Sequence, residues 1–261
     1  MIEKVKAGKI LGNISPFLKV SHPNIDSNLI LFYLFKNFVY KDLKVLSKKR
    51  KIFNFYCLKK ASMKLNWAER WVVNNPIRVY QQRLELFFLK KKIKLNHRAS
   101  ILEIGCGRGA GAVLILNEFK PTLLHAFDVD SAMIYKAKKH LSLEQKKRIL
   151  LSIADVVQIP YKNHLFDAVF IFGVLHHIPH WRGALTEISR VLKPDGVFVF
   201  EELYPSLYQN FITKHILLHP KENRFHSDDL KSALYEKGLP LKTAWEIKSL
   251  GIVGISQKKD Y

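Results

Sequence analysis

Two cysteines in 261 residues, Cys57 and Cys106, leave no material for a disulfide framework. That scarcity points to a reducing, cytoplasmic setting, and Cys106 stands among glycines, where a small side chain suffices. Long apolar runs are missing too. None approaches the roughly 20 residues that a membrane-crossing helix needs, and the opening MIEKVKAGKILGN has no continuous apolar stretch of the secretory-leader kind. The expectation is a chain that spans no bilayer. Acidic residues are also few, 22 against 43 Lys+Arg, for a net charge of +21. Apolar matter is not lacking. Hydrophobic residues make up 48% of the chain and aromatics 12%, enough for a full core and too much for a disordered polymer.

The basic excess is local. Residues 1–98 hold 22 basic and 5 acidic side chains, whereas residues 99–261 hold 21 and 17. A polyanion is therefore expected to meet the N-terminal part, either nucleic acid or an acidic membrane surface. Composition divides the chain into a basic, aromatic-rich helical extension over 1–65, a helical cap or linker over 66–98, and a main domain over 99–261. Within the extension, residues 27–47 read as a helix with Asn37, Lys41, Lys44 and Lys48 on one face. Another helix follows Pro76, a good first-turn residue. Its apolar spacing of Ile77, Tyr80, Leu84 and Phe87 predicts the buried side, with Gln81, Gln82 and Glu85 facing out.

From residue 99 onward, short apolar runs alternate with helical patterns, the signature of a parallel sheet with crossover helices. Strands are expected near 100–104, 122–128, 148–153, 166–172 and 196–201, and helices near 109–119, 131–141 and 180–192. A helix near 227–237 and two β segments near 241–247 and 250–256 close the chain. The fold class is α/β, a Rossmann-like, mostly parallel seven-stranded sheet with helices on both faces.

The stretch ILEIGCGRGA, 101–110, runs the first strand into Gly105, Gly107 and Gly109. Glycines there let backbone amides and a helix N-terminus approach a ligand that any Cβ would push away. A lysine-bearing phosphate loop is excluded, since no Gly-Lys-Ser/Thr follows, but Gly105, Gly107 and Ala110 also fit the G-x-G-x-x-A dinucleotide pattern. Downstream residues narrow the choice. Asp128 ends the second strand where a carboxylate can take a ribose diol, while Asp130 suits a helix cap beside Ser131. Asp155 and Val156 follow the third strand and pair a carboxylate with a backbone amide, as recognition of an adenine edge requires; a turn residue is the plain alternative for Asp155.

With the block FDAVFIFGVLHHIPHWRGALTEISRVLKPDGVFVFEE, 166–202, this ordered set resembles the class I S-adenosylmethionine-dependent methyltransferases, in particular the ubiquinone/menaquinone-biosynthesis subgroup. The resemblance covers about 99–257. It implies S-adenosyl-L-methionine as cofactor, with Glu103 positioning its amino group and Gly105 and Gly107 giving close backbone approach. Asp128 would hold the ribose hydroxyls, Asp155 with the amide of Val156 would read the adenine, and Phe172-Gly173 would border the reacting methyl. Cys106 and Val129 complete the implied contact set. The sequence departs from the family in KPDG, where two glycines are common, and in the basic N-terminal third.

Cofactor residues do not name an acceptor. His176 and His177 fall just past the fourth strand and are the candidate general bases; Glu201, Glu202 and Tyr204 are secondary. A metal is not expected, because His176-His177-x-x-His180 and His215-x-x-x-His219 lack carboxylate or cysteine partners at ligand spacing. The apolar segment 203–219 and the region 27–60 favour a small, lipid-like acceptor approached at an anionic membrane surface, where each cation adds about 1 kcal/mol. The alternative is an RNA or other nucleic-acid substrate, with Phe53, Phe55, Tyr56, Trp67 and Trp71 stacking on bases.

Overall fold

The structure, a computed structural model, describes residues 76–96, 98–208 and 223–259. The expected helix over 27–47, the aromatic residues 53–71, most of the 203–219 segment and the His215/His219 pair lie outside them.

Helix α1 (Pro76–Lys90) leads into strand β1 (Ile101–Ile104), helix α2 (Ala110–Phe119), β2 (Leu124–Asp128), α3 (Ser131–His140), α4 (Leu143–Arg148) and β3 (Ile149–Ile153). Then come β4 (Phe166–Phe172), a 3-10 turn (Leu175–His177), α5 (Trp181–Val191), β5 (Leu192–Leu203), α6 (Pro205–Tyr208), α7 (Ser227–Glu236), β6 (Leu241–Ile247) and β7 (Gly251–Gln257). The strands form one seven-stranded sheet in the order β3-β2-β1-β4-β5-β7-β6. Strands β1 to β5 pair in parallel, and β7 enters antiparallel between β5 and β6.

Strand residues alternate between two cores, as the pleat requires. On one face Leu102, Ile104, Val169, Ile171, Phe198 and Phe200 pack with Trp181, Leu185 and Ile188 of α5 and with Leu230 and Leu234 of α7. On the other, Ile101, Ala126, Ala168, Phe170 and Val199 pack with Ala112 and Ile115 of α2 and with Leu86 and Leu89 of α1. Helix α5 shows the logic plainly: Trp181, Ala184, Leu185, Ile188 and Val191 recur at helical spacing and all are buried. Helix α1 shares the second core, so the segment before the glycine loop is packed on the sheet.

Among the described residues the expected strands and helices form, with several differences. Helix α4 was not anticipated, although Ser142 and Gln145 make a reciprocal capping box at its start. The KPDG turn is absorbed into β5 as an irregularity, with Asp195 at φ +60° and the pairing skipping from Phe166–Leu192 to Ala168–Val197. The third difference concerns α1. Tyr80 and Phe87 are 47% and 46% exposed, whereas Glu85, placed outward by the sequence pattern, is 5% exposed and Arg78 is buried. Apolar spacing misreads this helix because a buried ion pair, described below, turns its charged side inward.

The strand order places a cleft. Successive strands β1, β2 and β3 build to one side and β4 and β5 to the other, so the loops leaving β1 and β4 part at their C-terminal ends. Open α/β sheets bind ligands at such a switch point.

Candidate functional site

The cleft at that point is lined by Glu103, Gly105, Cys106 and Gly107 after β1, Asp128 and Val129 after β2, Ala154 and Val156 after β3, and Phe172, Gly173, Val174 and His177 after β4. Helix α1 adds Arg78 and Gln82, neither of which the sequence had marked.

The glycine loop is fastened to its neighbours. The N–H groups of Gly105 and Cys106 both donate to the Phe127 carbonyl, at 2.9 and 3.0 Å. Gly105 has φ +71°, and a Cβ on it would stand 2.4 Å from Val174 Cγ2, so the close approach of the β1 and β4 loops needs glycine here. Gly107 N–H donates to Asp128 Oδ2 at 2.9 Å, and Asp130 N–H to Asp128 Oδ1 at 2.8 Å. Burial raises the Asp128 pKa against the pull of those backbone donors. Asp130 accepts from Ala132 N–H at 2.9 Å and caps α3, as the sequence indicated.

Glu103 is the unusual group. It is 2% exposed, its Oε2 has no hydrogen-bond partner among the described residues, and burial together with the Asp128 charge pushes its pKa up to about 8. Its Oε1 lies 2.0 Å from where a Cβ on Gly111 would stand. Gly111 is therefore part of the site, since α2 can pass the carboxylate only without a side chain. A buried carboxylate left wanting a donor is a receptor for a cation. The residues present thus fit S-adenosylmethionine: Glu103 for its ammonium, Asp128 for the ribose diol and the glycine loop for close passage of the backbone.

Asp155 and His176 do not line the cleft. Asp155 turns back on its own loop, where Oδ1 accepts from Val157 N–H at 3.0 Å and a bridge closes to Gln158. The turn reading holds for its side chain, and the cleft wall there is Ala154 and Val156. His176 is buried behind the wall, its Nδ1 2.8 Å from Glu202 Oε2. Glu202 also accepts from the N–H groups of Val174, Leu175 and His176, at 3.1, 2.9 and 3.2 Å, and so fixes the turn that carries both histidines. Burial, helped by the Arg78 charge and opposed by Glu201, lowers the His176 pKa to about 3. Burial raises that of Glu202 to about 8. With the imidazole uncharged, the close contact is a hydrogen bond rather than an ion pair.

His177 does line the cleft. Its ring lies 4.2 Å from that of His176, centroid to centroid, and burial followed by His176 holds its pKa well below the usual histidine value. It is an uncharged imidazole at neutral pH. Glu201 and Glu202 sit behind the wall, and Tyr204 donates to Glu246 at 2.6 Å instead of facing the cleft. Burial pushes the Cys106 thiol up, which removes it as a nucleophile. No group of three metal-type ligands occurs among the described residues, and no described helix is long and apolar enough to cross a membrane.

Comparison with known proteins agrees with this geometry. Residues 102–200 match the family described as a methyltransferase domain. The chain is 30% identical over 128 residues to the sterol 24-C-methyltransferase ERG6B of Gibberella zeae, covering 47% of this chain and 33% of that protein. It is 31% identical over 123 residues to the phthiotriol/phenolphthiotriol dimycocerosates methyltransferase of Mycobacterium tuberculosis, 44% of each chain. The matches thus span less than half the length of these curated relatives. Among solved structures, the S-adenosylmethionine-dependent methyltransferase from Mesorhizobium loti shares the fold at TM-score 0.54 and 13% identity, covering 67% of this chain and 98% of that one. The fold is that of a Rossmann-like α/β domain with a cleft at its switch point. More particularly, residues 102–200 carry the match to a methyltransferase domain.

Proposed function

We propose that this protein transfers a methyl group from S-adenosylmethionine to a small lipophilic acceptor. The carrying observation is the buried Glu103 Oε2, without a hydrogen-bond partner among the described residues, in the same cleft as Asp128 and the glycine loop. When bound, the cofactor supplies a methyl group on a positively charged sulfur, open to in-line displacement by a lone pair.

The chain's own residues do the rest. Glu103 gives up its proton to pair with an ammonium. Both oxygens of Asp128 are engaged by backbone N–H groups, yet each keeps a second lone pair for a ribose hydroxyl. Ala154 and the buried Val156 supply a flat apolar wall for the adenine. Phe172, Val174 and Ile178 exclude water from the other part of the cleft, and His177 is the group there that can take a proton from the acceptor atom. His176 positions it and touches no ligand.

The lipophilic acceptor rests on this apolar lining and on the relatives named for sterol and phthiotriol substrates. A ring compound of the ubiquinone/menaquinone-precursor kind belongs to that class. In the same reading, the basic residues of 1–98 bring the enzyme to an anionic membrane surface on the cytoplasmic side.

The test combines binding with fractionation. S-adenosylmethionine binding by calorimetry checks the cofactor, and an extract supplied with labelled methyl donor and the enzyme checks the acceptor. Label in the organic-solvent-soluble pool is expected. Label confined to nucleic acid or protein overturns the lipophilic acceptor, and no cofactor binding overturns the methyltransferase reading.

A further inference from the structure

Helix α1 carries buried charge to the cleft. Arg78 Nη1 donates to Glu201 Oε1 at 2.9 Å, and Nη2 donates to Glu201 Oε2. Glu201 stands beside Phe172 in the sheet, and its carbonyl accepts from Gly173 N–H at 2.7 Å, so the pair sits at the end of β4. Arg78 Nη2 and His176 Cε1 each lie 3.6 Å from the place a Gly173 Cβ would take. Two turns along α1, Glu85 accepts from Gln81 Nε2 at 2.6 Å through Oε1, while its buried Oε2 has no partner among the described residues. Glu202, beside Glu201, is fully buried. The Arg78 charge is coupled to all three carboxylates.

Charge conservation then poses a problem. Fully ionised, Glu85, Glu201 and Glu202 against Arg78 leave two uncompensated negative charges out of water, and the neutral His176 offsets neither. Such a site must hold protons or receive a cation. It borders the part of the cleft where the cofactor's charged sulfur is expected, next to Gly173.

We infer that the buried array of Glu85, Arg78 and Glu201, with Glu202 and His176 behind it, is a proton-exchanging counter-charge for the cofactor's sulfonium. It releases a proton when the charged donor enters the cleft and regains one when the uncharged thioether product stands there. The inference rests on the cofactor reading above. In the transfer, the acceptor's lone pair forms the bond to the methyl carbon and the C–S pair stays on sulfur. The proton lost by the acceptor atom is taken by His177 and ends on the array, so the summed charge of donor, acceptor and array is the same before and after.

The protons involved are exchangeable near neutrality. Burial, with Glu201 adding to it, holds Glu85 at about 8, and burial holds Glu202 at about 8. The groups set against Glu85 are Arg78 and Gln81 from its own helix and Glu201 from β5, with Glu202 and His176 beyond them. Glu103 also exchanges a proton on ligand entry, but it answers to the ammonium, which donor and product share.

Calorimetric titration at pH 7.5 in two buffers of different ionisation heat counts protons released per ligand. With the full chain, S-adenosylmethionine is expected to release about half to one proton more than S-adenosylhomocysteine. Glu85→Gln is expected to cut that difference at least by half. Equal counts for the two ligands, or an unchanged difference in E85Q, overturn the inference. Where E85Q does not fold, the wild-type affinity ratio serves: preference for the sulfonium form rises between pH 6.5 and 8.5, by up to about tenfold per pH unit, and a flat ratio overturns it. Binding of neither ligand overturns the cofactor reading, and the inference with it.

Discussion

Asp128 Oδ2 accepts the Gly107 N–H at 2.9 Å, so the carboxylate proposed to hold a ribose also clamps the glycine loop. Removing it strikes both functions. Asp128→Ala is expected to weaken S-adenosylmethionine binding about 10- to 100-fold, the equivalent of one or two hydrogen bonds to a charged group. Asp128→Asn keeps one acceptor and turns an amide toward an N–H, so it should fall between. Calorimetric affinities for the three proteins, with thermal melts to separate loop loosening from unfolding, check the order.

Gly111 and Gly183 form a matched pair of tests. A Cβ at 111 stands 2.0 Å from Glu103 Oε1 and must displace a buried carboxylate, whereas one at 183, inside α5, meets nothing within 4 Å. Gly111→Ala is expected to cost about 1–3 kcal/mol of stability and most of the cofactor affinity. Gly183→Ala should be neutral or stabilising by up to about 1 kcal/mol, through lower chain entropy and better helix propensity. Urea unfolding of the two variants gives both numbers.

The apo protein's stability should fall with pH between about 6.5 and 8. Glu85, Glu103 and Glu202 all have folded pKa values raised to about 8. Between their unfolded values near 4.5 and about 8, the folded state binds more protons than the unfolded, so rising pH favours unfolding. His176 and His177 shift the other way and oppose this below about 6.5, where the unfolded imidazoles protonate. Above that pH the carboxylates act alone, each contributing at most about 1.4 kcal/mol per pH unit. Thermal melts across pH 6–8.5 should show the decline, and E85Q or Glu103→Gln should flatten it. A stability that rises through this window would refute the buried carboxyl assignment.

Periodicity and glycine spacing were enough to place the sheet, because β1, β4 and the α5 face obey local rules: a run of buried residues, a turn, an amphipathic stripe. The glycine loop, Glu103 and Asp128 were legible for the same reason, lying at strand ends that the pattern located. Helix α1 was not. Its buried side carries Arg78 and Glu85 because Glu201, 123 residues beyond Arg78 in the chain, pairs with the arginine, and no local spacing encodes that partner. Asp155 lies after β3 as expected, yet its side chain is engaged locally. The geometry that puts a carboxylate after β3 also lets it close an Asx turn, and the local N–H of Val157 captured it. The helix α4 could have been found from Ser142-x-x-Gln145, a signal passed over because six residues are too few for periodicity to show.

The loop that supplies Ala154 and Val156 to the cleft is held from α5 by Arg190 and Glu187. Arg190 donates from Nη1 to the Tyr161 carbonyl and to Asn163 Oδ1, both at 2.8 Å, and from Nη2 to the Ile159 carbonyl at 2.9 Å. Glu187, paired with Arg190, accepts the Ile159 N–H at 2.7 Å. Arg190 is about a third exposed, so the ion pair itself adds little; the geometric value lies in two backbone carbonyls and the Asn163 side chain tied at once. Arg190→Met keeps the stem and loses those bonds. It should destabilise the protein by about 1–2 kcal/mol and raise amide exchange across 154–163 while leaving that of 101–109 unchanged. Adenosine-containing ligands should bind several-fold more weakly, since a loosened loop must be re-ordered on binding. Equal exchange in the two loops of the variant would show that Arg190 stabilises the domain as a whole rather than the adenine wall.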